Sequence, residues 1–206
     1  MREFVVAFKL MVVLCAVSAL VWPIGASMHS ANKTADDTWS FTLSDAEGKS
    51  HSQIEWKDSK AVVLLFIGAD CPISNAYAPE INRVVTAYSG KQVRFYLIHS
   101  DPDITGEQAR KHAADYGYRF TVLLDPKQVL AKKYGVSITP TSVLLNPEGE
   151  MLYRGRIDNR YIDLGQQRET VTEHDLRDAI GAILAGKPVA ERVTKPVGCF
   201  LPPAAH

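Results

Sequence analysis

Ala61 to Ile67 is apolar at every position, reading Ala-Val-Val-Leu-Leu-Phe-Ile. A run without period-two alternation predicts a strand covered on both faces. The run breaks at Gly68-Ala69-Asp70, which leaves Cys71 where a helix can begin. Pro72 suits a first helical position, because its missing N–H has no intrahelical partner there. Ile81, Val84, Val85 and Tyr88 then recur at helical spacing, and Pro79 within that helix is expected to kink it.

On the N-terminal side, Trp39-Ser40-Phe41-Thr42-Leu43 alternates and Asp45-Ala46-Glu47-Gly48-Lys49 turns the chain back. That pattern predicts a peripheral β-hairpin as an N-terminal extension. Val93–His99 reads as a second core strand, and Thr105-Gly106-Glu107-Gln108 has the form of a capping box. Ala109, Ala113 and Tyr116 follow at helical spacing until Gly117. Phe120–Leu124 is a short strand, after which Asp125-Pro126 is expected to cap and open a helix ending at Tyr134-Gly135. Thr141–Leu145 and Met151–Arg154 form strands about the turn Asn146-Pro147-Glu148-Gly149. A last helix is expected from near Thr172, with Leu176, Ile180, Ile183 and Leu184 facing inward and Gly186 and Pro188 ending it. Strands alternating with helices, closed by a hairpin and a helix, describe an α/β domain with a central mixed sheet flanked by helices.

Composition narrows the class. The 206 residues carry 23 Lys and Arg against 23 Asp and Glu, with no basic cluster, so nucleic acid is not expected as a partner. There is no glycine-rich phosphate loop, and no cofactor is called for. Residues 1–26 have a different character: Arg2 and Lys9 precede the apolar stretch Leu10–Trp22, and Pro23-Ile24-Gly25-Ala26 ends it in small residues. This is the order of a secretory signal, with cleavage after Ala26 or Ser27. An uncleaved anchor is the alternative, and only then is membrane contact expected. The stretch is short against the ~20 residues that span a bilayer, which favours cleavage. Cys15 follows Leu14 where a lipidation signal has a small residue, so it is not read as a lipid site. Both readings place the folded part outside the cytoplasm, in the periplasm or beyond. The chain then divides into the leader, a polar linker over 27–38, a domain over 39–190 and a tail over 191–206.

Losing the leader leaves Cys71 and Cys199. A pair of cysteines in an oxidising compartment suggests a disulfide, two unrelated thiols being the alternative. A thiol at a helix start faces unpaired N–H groups that favour the thiolate, pulling its pKa below the roughly 8.5 of a free cysteine. The plainer reading of Cys71 is a buried small hydrophobe. Asp70, Pro72, Ser74 and Asn75 around it argue against an apolar pocket.

Taken together, Asp70-Cys71-Pro72-Ile73-Ser74-Asn75, Gly135-Val136-Ser137-Ile138-Thr139-Pro140-Thr141 and Tyr153-Arg154-Gly155-Arg156-Ile157-Asp158-Asn159-Arg160-Tyr161 resemble the thioredoxin superfamily. Leu184-Ala185-Gly186-Lys187-Pro188 and Gly198-Cys199 narrow the resemblance to exported bacterial redoxins of the AhpC/TSA type, over about Trp39 to Cys199. The resemblance implies a thioredoxin-like fold with Cys71 as attacking thiol. It also implies a cis Thr139–Pro140 peptide beside that thiol, with Thr139, Pro140, Pro72, Ser74 and Asn75 meeting substrate. It departs from a dithiol oxidoreductase in having Ser74 where the second cysteine stands. It departs from a peroxiredoxin in having Leu64 and Gly68 in place of the proline and threonine that precede the peroxidatic cysteine, and Pro140 near the position of the thiolate-stabilising arginine. Resolution of a mixed disulfide then falls to Cys199, folding back over the helix start, or to an external thiol.

His99 and Asp101 follow a core strand at its carboxyl end, where ligand sites of open sheets gather. His99 is a candidate proton mover for the departing thiol, set against a polar strand-end residue without chemistry. Arg154, Arg156, Asp158 and Arg160 are either an anion site or an ion-pair network. Cys71, His99 and Cys199 would make a soft, copper-type ligand set, but no short ligand spacing supports a metal. The reading is an extracytoplasmic thiol-dependent oxidoreductase acting on a protein disulfide, thiol or peroxide, with an external thiol as electron donor. The alternative is a non-catalytic module that holds a thiol or copper through Cys71.

Overall fold

The computed structural model describes residues 40–204, so the leader, the linker and Trp39 lie outside the described residues. Its centre is β3 (Ala61–Ile67), buried at all seven positions. Successive side chains of a strand point to opposite faces. Ala61, Val63, Leu65 and Ile67 enter one apolar cluster, and Val62, Leu64 and Phe66 enter another. Two covered faces explain why the sequence shows no alternation there.

The elements in chain order are β1 (Thr42–Ser44), β2 (Ser50–Ser52), β3, α1 (Pro72–Ala76), α2 (Ala78–Tyr88), β4 (Val93–His99), α3 (Gly106–Asp115), β5 (Val122–Leu124), α4 (Val129–Lys133), β6 (Ile138–Thr139), β7 (Thr141–Leu145), β8 (Met151–Gly155), β9 (Tyr161–Asp163), β10 (Gln166–Gln167), α5 (Asp175–Leu184) and β11 (Cys199–Phe200). The main sheet has five strands in the order β5-β4-β3-β7-β8. β3 runs parallel to β4 and antiparallel to β7, so the sheet is mixed. Ile81 and Val84 of α2, Ala109 of α3 and Leu176 and Ile180 of α5 cover one face. The hairpin β1–β2, Trp56 and Leu130 of α4 cover the other. Among the described residues, no helix is long and apolar enough to cross a membrane.

Local expectations meet the structure at several points. Pro79 divides the expected helix, which breaks at Tyr77 into α1 and α2. The capping box of α3 forms in full, with the Gln108 N–H donated to Thr105 and the Thr105 N–H donated to Gln108. The hairpin begins at Thr42. The fourth helix opens at Val129 and not at Pro126. Asp125 nevertheless caps it, its carboxylate accepting the N–H groups of Val129, Leu130 and Ala131 across a turn closed by Gln128 in the left-handed region. The last helix starts at Asp175, because Thr172 is held by Asn159 through two hydrogen bonds.

The tail is built into the domain. Residues 192–194 run along β8, where the Arg154 N–H donates to Arg192 and the Thr194 N–H donates to Arg154. Further on, β11 pairs antiparallel with β6.

Candidate active site

Chain direction sets the site. β3 and β4 are parallel and end side by side, Ile67 opposite His99. After Ile67 the chain turns through Gly68, and the Cys71 N–H donates back to the Gly68 carbonyl at 3.2 Å. A Cβ on Gly68 would stand 3.0 Å from Thr139 Oγ1 and 3.1 Å from Cys71 Cβ, so the turn is close because residue 68 has no side chain.

Cys71 is the N-cap of α1, as expected, but α1 is only five residues long. A single turn carries little macrodipole. Specific donors act instead. The Ser74 N–H donates to Cys71 Sγ at 3.5 Å, and in its thiol form Sγ donates to the Thr139 carbonyl at 3.4 Å. The buried Ser74 hydroxyl accepts the Gly68 N–H at 3.3 Å. Asn75 Nδ2 donates to the Ala69 carbonyl at 2.8 Å, and Asn75 Oδ1 accepts from His112 Nε2 at 2.9 Å. Together these bonds fasten the turn to α1 and α3.

The Thr139–Pro140 peptide is cis. Beside it the tail arrives as β11, in a register that sets Cys199 opposite Thr139 and Phe200 opposite Ile138. The Leu201 N–H donates to the Ser137 carbonyl at 2.9 Å, and Thr139 Oγ1 donates to the Cys199 carbonyl at 3.4 Å. Gln128 Nε2 donates both to Ser100 O and to Pro202 O, at 3.1 and 2.6 Å. The two cysteines are not bonded to each other. They share a cleft of about 160 Å³ whose walls include Gly68, Asp101, Thr139 and Phe200.

Their electrostatics differ in sign. Burial pushes the Cys71 thiol up, but it is outweighed by hydrogen bonds from the Cys199 side chain, the Ser74 N–H and hydroxyl, and the Cys199 backbone. The net shift of Cys71 is downward. Cys199 is pushed up to about 11 by its burial, its hydrogen bond to Cys71 and the charge of the Cys71 thiolate. The two shifts have opposite sign, so Cys71 is the more readily ionised of the pair and Cys199 the one that keeps its proton, an asymmetry that suits thiol–disulfide exchange.

The sequence of the domain now places it. A family model described as AhpC/TSA family matches residues 34–154. The chain belongs to the AhpC/TSA family. Thiol-disulfide oxidoreductase ResA of Bacillus anthracis is 33% identical over 114 residues, which cover 54% of this chain and 63% of the relative. The chain thus matches less than two thirds of that relative's length. A hypothetical protein from Sinorhizobium meliloti superposes with a TM-score of 0.69 at 31% identity, covering 80% of this chain and 91% of the other. The thioredoxin domain of a thiol-disulfide oxidoreductase from Bacteroides vulgatus superposes with a TM-score of 0.50 at 21% identity, covering 57% and 84%. That last likeness is one of fold, and the fold is thioredoxin-like.

The residues singled out from sequence separate into two groups. Cys71, Cys199, Thr139, Pro140 and Ser74 converge, with Pro72 opening α1 and Asn75 bracing the turn. His99 and Arg156 stand apart. His99 does not line the cleft: it is 1% exposed, neither ring nitrogen has a hydrogen-bond partner, and its ring meets that of His112 edge-on at 5.1 Å. Burial, with the nearby His112, lowers its pKa to about 3, which leaves it a neutral ring near pH 7. The copper-type set loses its histidine by the same placement. Among the described residues no group of three or more His, Cys, Asp or Glu side chains converges for a metal ion.

Arg156 binds Asp175 through Nε at 2.8 Å and also Glu173, tying β8 to the start of α5. Asp158 accepts the Tyr77 hydroxyl at 2.7 Å, and Arg160 lies over the Tyr77 ring. Arg156, Asp158 and Arg160 thus make ion pairs, and Asp158 and Arg160 prop the joint between α1 and α2. Arg154 donates to the Tyr134 and Gly135 carbonyls. Sequence reasoning missed Gln128, and it named Gly198 without seeing its role. The left-handed conformation that turns Gln128 toward the tail has no signature in a Gln residue. Gly198 stood in plain view beside Cys199, and only the approach to β6 gives it meaning.

Proposed function

We propose that the domain is a thiol–disulfide oxidoreductase in which Cys71 is the nucleophile and Cys199 the resolving thiol. The register of β11 on β6 carries the reading, because it seats Cys199 opposite Thr139, whose carbonyl faces the Cys71 sulfur. The names of the ResA relatives support the same reaction class.

In the reaction, the Cys71 thiolate attacks one sulfur of a disulfide RS–SR, and RS⁻ leaves. Cys199 gives its proton to that leaving thiolate and attacks Cys71 Sγ. The Cys71–SR bond breaks, and the second RS⁻ takes a proton from water. One external disulfide is reduced to two thiols while Cys71 and Cys199 are oxidised to a disulfide. An external dithiol returns the pair to its reduced state by the reverse exchange.

The test is mass spectrometry of reduced protein after exposure to a disulfide. The reading predicts loss of two hydrogens and a cross-linked peptide joining Cys71 to Cys199. Cys199→Ser should stop at a stable adduct on Cys71. An adduct carried only by Cys199, or none at all, contradicts the reading.

Export belongs to the same proposal. The charged, apolar, small-residue order of residues 1–26 supports it, and N-terminal sequencing of the mature chain from fractionated cells tests it. A new N-terminus at Ser27 or Met28 in the extracytoplasmic fraction is expected. An intact Met1 on soluble cytoplasmic protein contradicts it.

A further inference from the structure

We infer that residues 198–202 form a strap over the backbone edge that an extended protein disulfide would need to reach Cys71. The direct oxidant of Cys71 is then a low-molecular-weight disulfide, and Gly198 is the residue that sets the limit. This rests on the reading of Cys71 as the nucleophile and goes on to name its substrate class.

An unpaired strand edge is a template for peptide, and adding a strand to an edge is a general way of holding an extended chain. The edge nearest Cys71 is β6, and the protein's own tail already pairs with it. The tail presents a cysteine to Cys71 in the place where a bound peptide would present its own. Cys71 is 3% exposed beneath it, and the remaining cleft of about 160 Å³ is smaller than a pocket for a drug-sized ligand. Phe200 lies on the outside of the strap, 79% exposed.

Seating depends on one close approach. A Cβ on Gly198 would overlap the Thr139 carbonyl oxygen, standing 2.7 Å from its carbon and 3.0 Å from Pro140 Cδ. Any residue but glycine must lift the strap from β6. The Leu201 N–H to Ser137 and the Gln128 amide to Pro202 hold its far end.

The test compares single-turnover modification of Cys71 in the full-length protein by hydroxyethyl disulfide and by a disulfide-linked dimer of a ten-residue extended peptide. If the strap is open in about 1% of molecules, the small disulfide should win by roughly 100-fold after allowing for its intrinsic reactivity. Gly198→Ala, which lifts the strap, and Leu201→Pro, which deletes its N–H donor, should each shrink that ratio at least about tenfold by admitting the peptide. Circular dichroism confirms the fold of each variant, and the wild-type ratio decides by itself if neither folds. Comparable rates for the two disulfides in wild type, or an unchanged ratio in a folded variant, overturn the strap. Failure of Cys71 to react with either disulfide in any of the proteins overturns the nucleophile instead.

Discussion

Two ionisable groups follow the carboxyl ends of neighbouring parallel strands, and burial treats them in opposite ways. Cys71, after β3, and His99, ending β4, are both almost wholly withdrawn from water. Burial disfavours the charged form of each. His99 has no hydrogen-bond partner to oppose that, and its pKa falls to about 3. Cys71 receives hydrogen bonds from Cys199 and Ser74, which outweigh burial and bring its pKa down. The difference lies in the donors: burial by itself makes a silent ring, and burial with converging donors shifts a thiol toward its thiolate. Only the second region has the means for exchange chemistry.

The largest expected effect removes the thiolate. Cys71→Ser should abolish reaction with disulfides, a loss of at least about a thousandfold in the rate at which a small disulfide is consumed. A rate within tenfold of wild type would move the chemistry elsewhere.

The next effect belongs to His99. Its folded pKa of about 3 lies below the ordinary 6.5, so the unfolded chain binds the extra proton and stability is lost as pH falls from about 6.5 toward 3. At pH 4 that loss is about 3 kcal/mol. His99→Leu should therefore flatten the acid limb of a urea-unfolding series by about that amount, relative to wild type. An acid limb that is unchanged would mean His99 is protonated in the fold, and the contrast with Cys71 would disappear.

Smaller effects tune the thiolate. Cys199→Ser exchanges one donor for another of different reach and should slow alkylation of Cys71 at neutral pH by about tenfold. Ser74→Ala removes one hydroxyl and should slow it by about threefold, the value of one weak hydrogen bond. If Ser74→Ala outweighed Cys199→Ser, the tail would not be the main donor.

The fold was legible where one residue pattern decides one element. The unbroken apolar run of β3 and the Thr105 and Gln108 capping pair read directly, while at Pro79 a kink was legible and the full break at Tyr77 was not. Asp125 was legible as a cap but not in its reach, since a carboxylate that accepts N–H groups four to six residues ahead permits a helix to start late. The pairing of β6 with β11 joins two-residue strands some 60 positions apart in sequence, and no local propensity encodes it. Cys71 could be found from its turn, and the pairing with Cys199 could be framed only as a geometric question. His99 stayed open between two readings because a histidine at a strand end reads the same whether its ring meets a cleft or the ring of His112.

The central claim is that donors from the tail and from Ser74 lower the pKa of Cys71 beneath the strap. It is tested most directly by the pH dependence of Cys71 alkylation by iodoacetamide in the native protein, followed site by site by mass spectrometry. The account predicts a midpoint below that of a free thiol, rising in Cys199→Ser, while Cys199 itself titrates near 11. A Cys71 midpoint at or above that of a free thiol, or one that Cys199→Ser leaves in place, contradicts it.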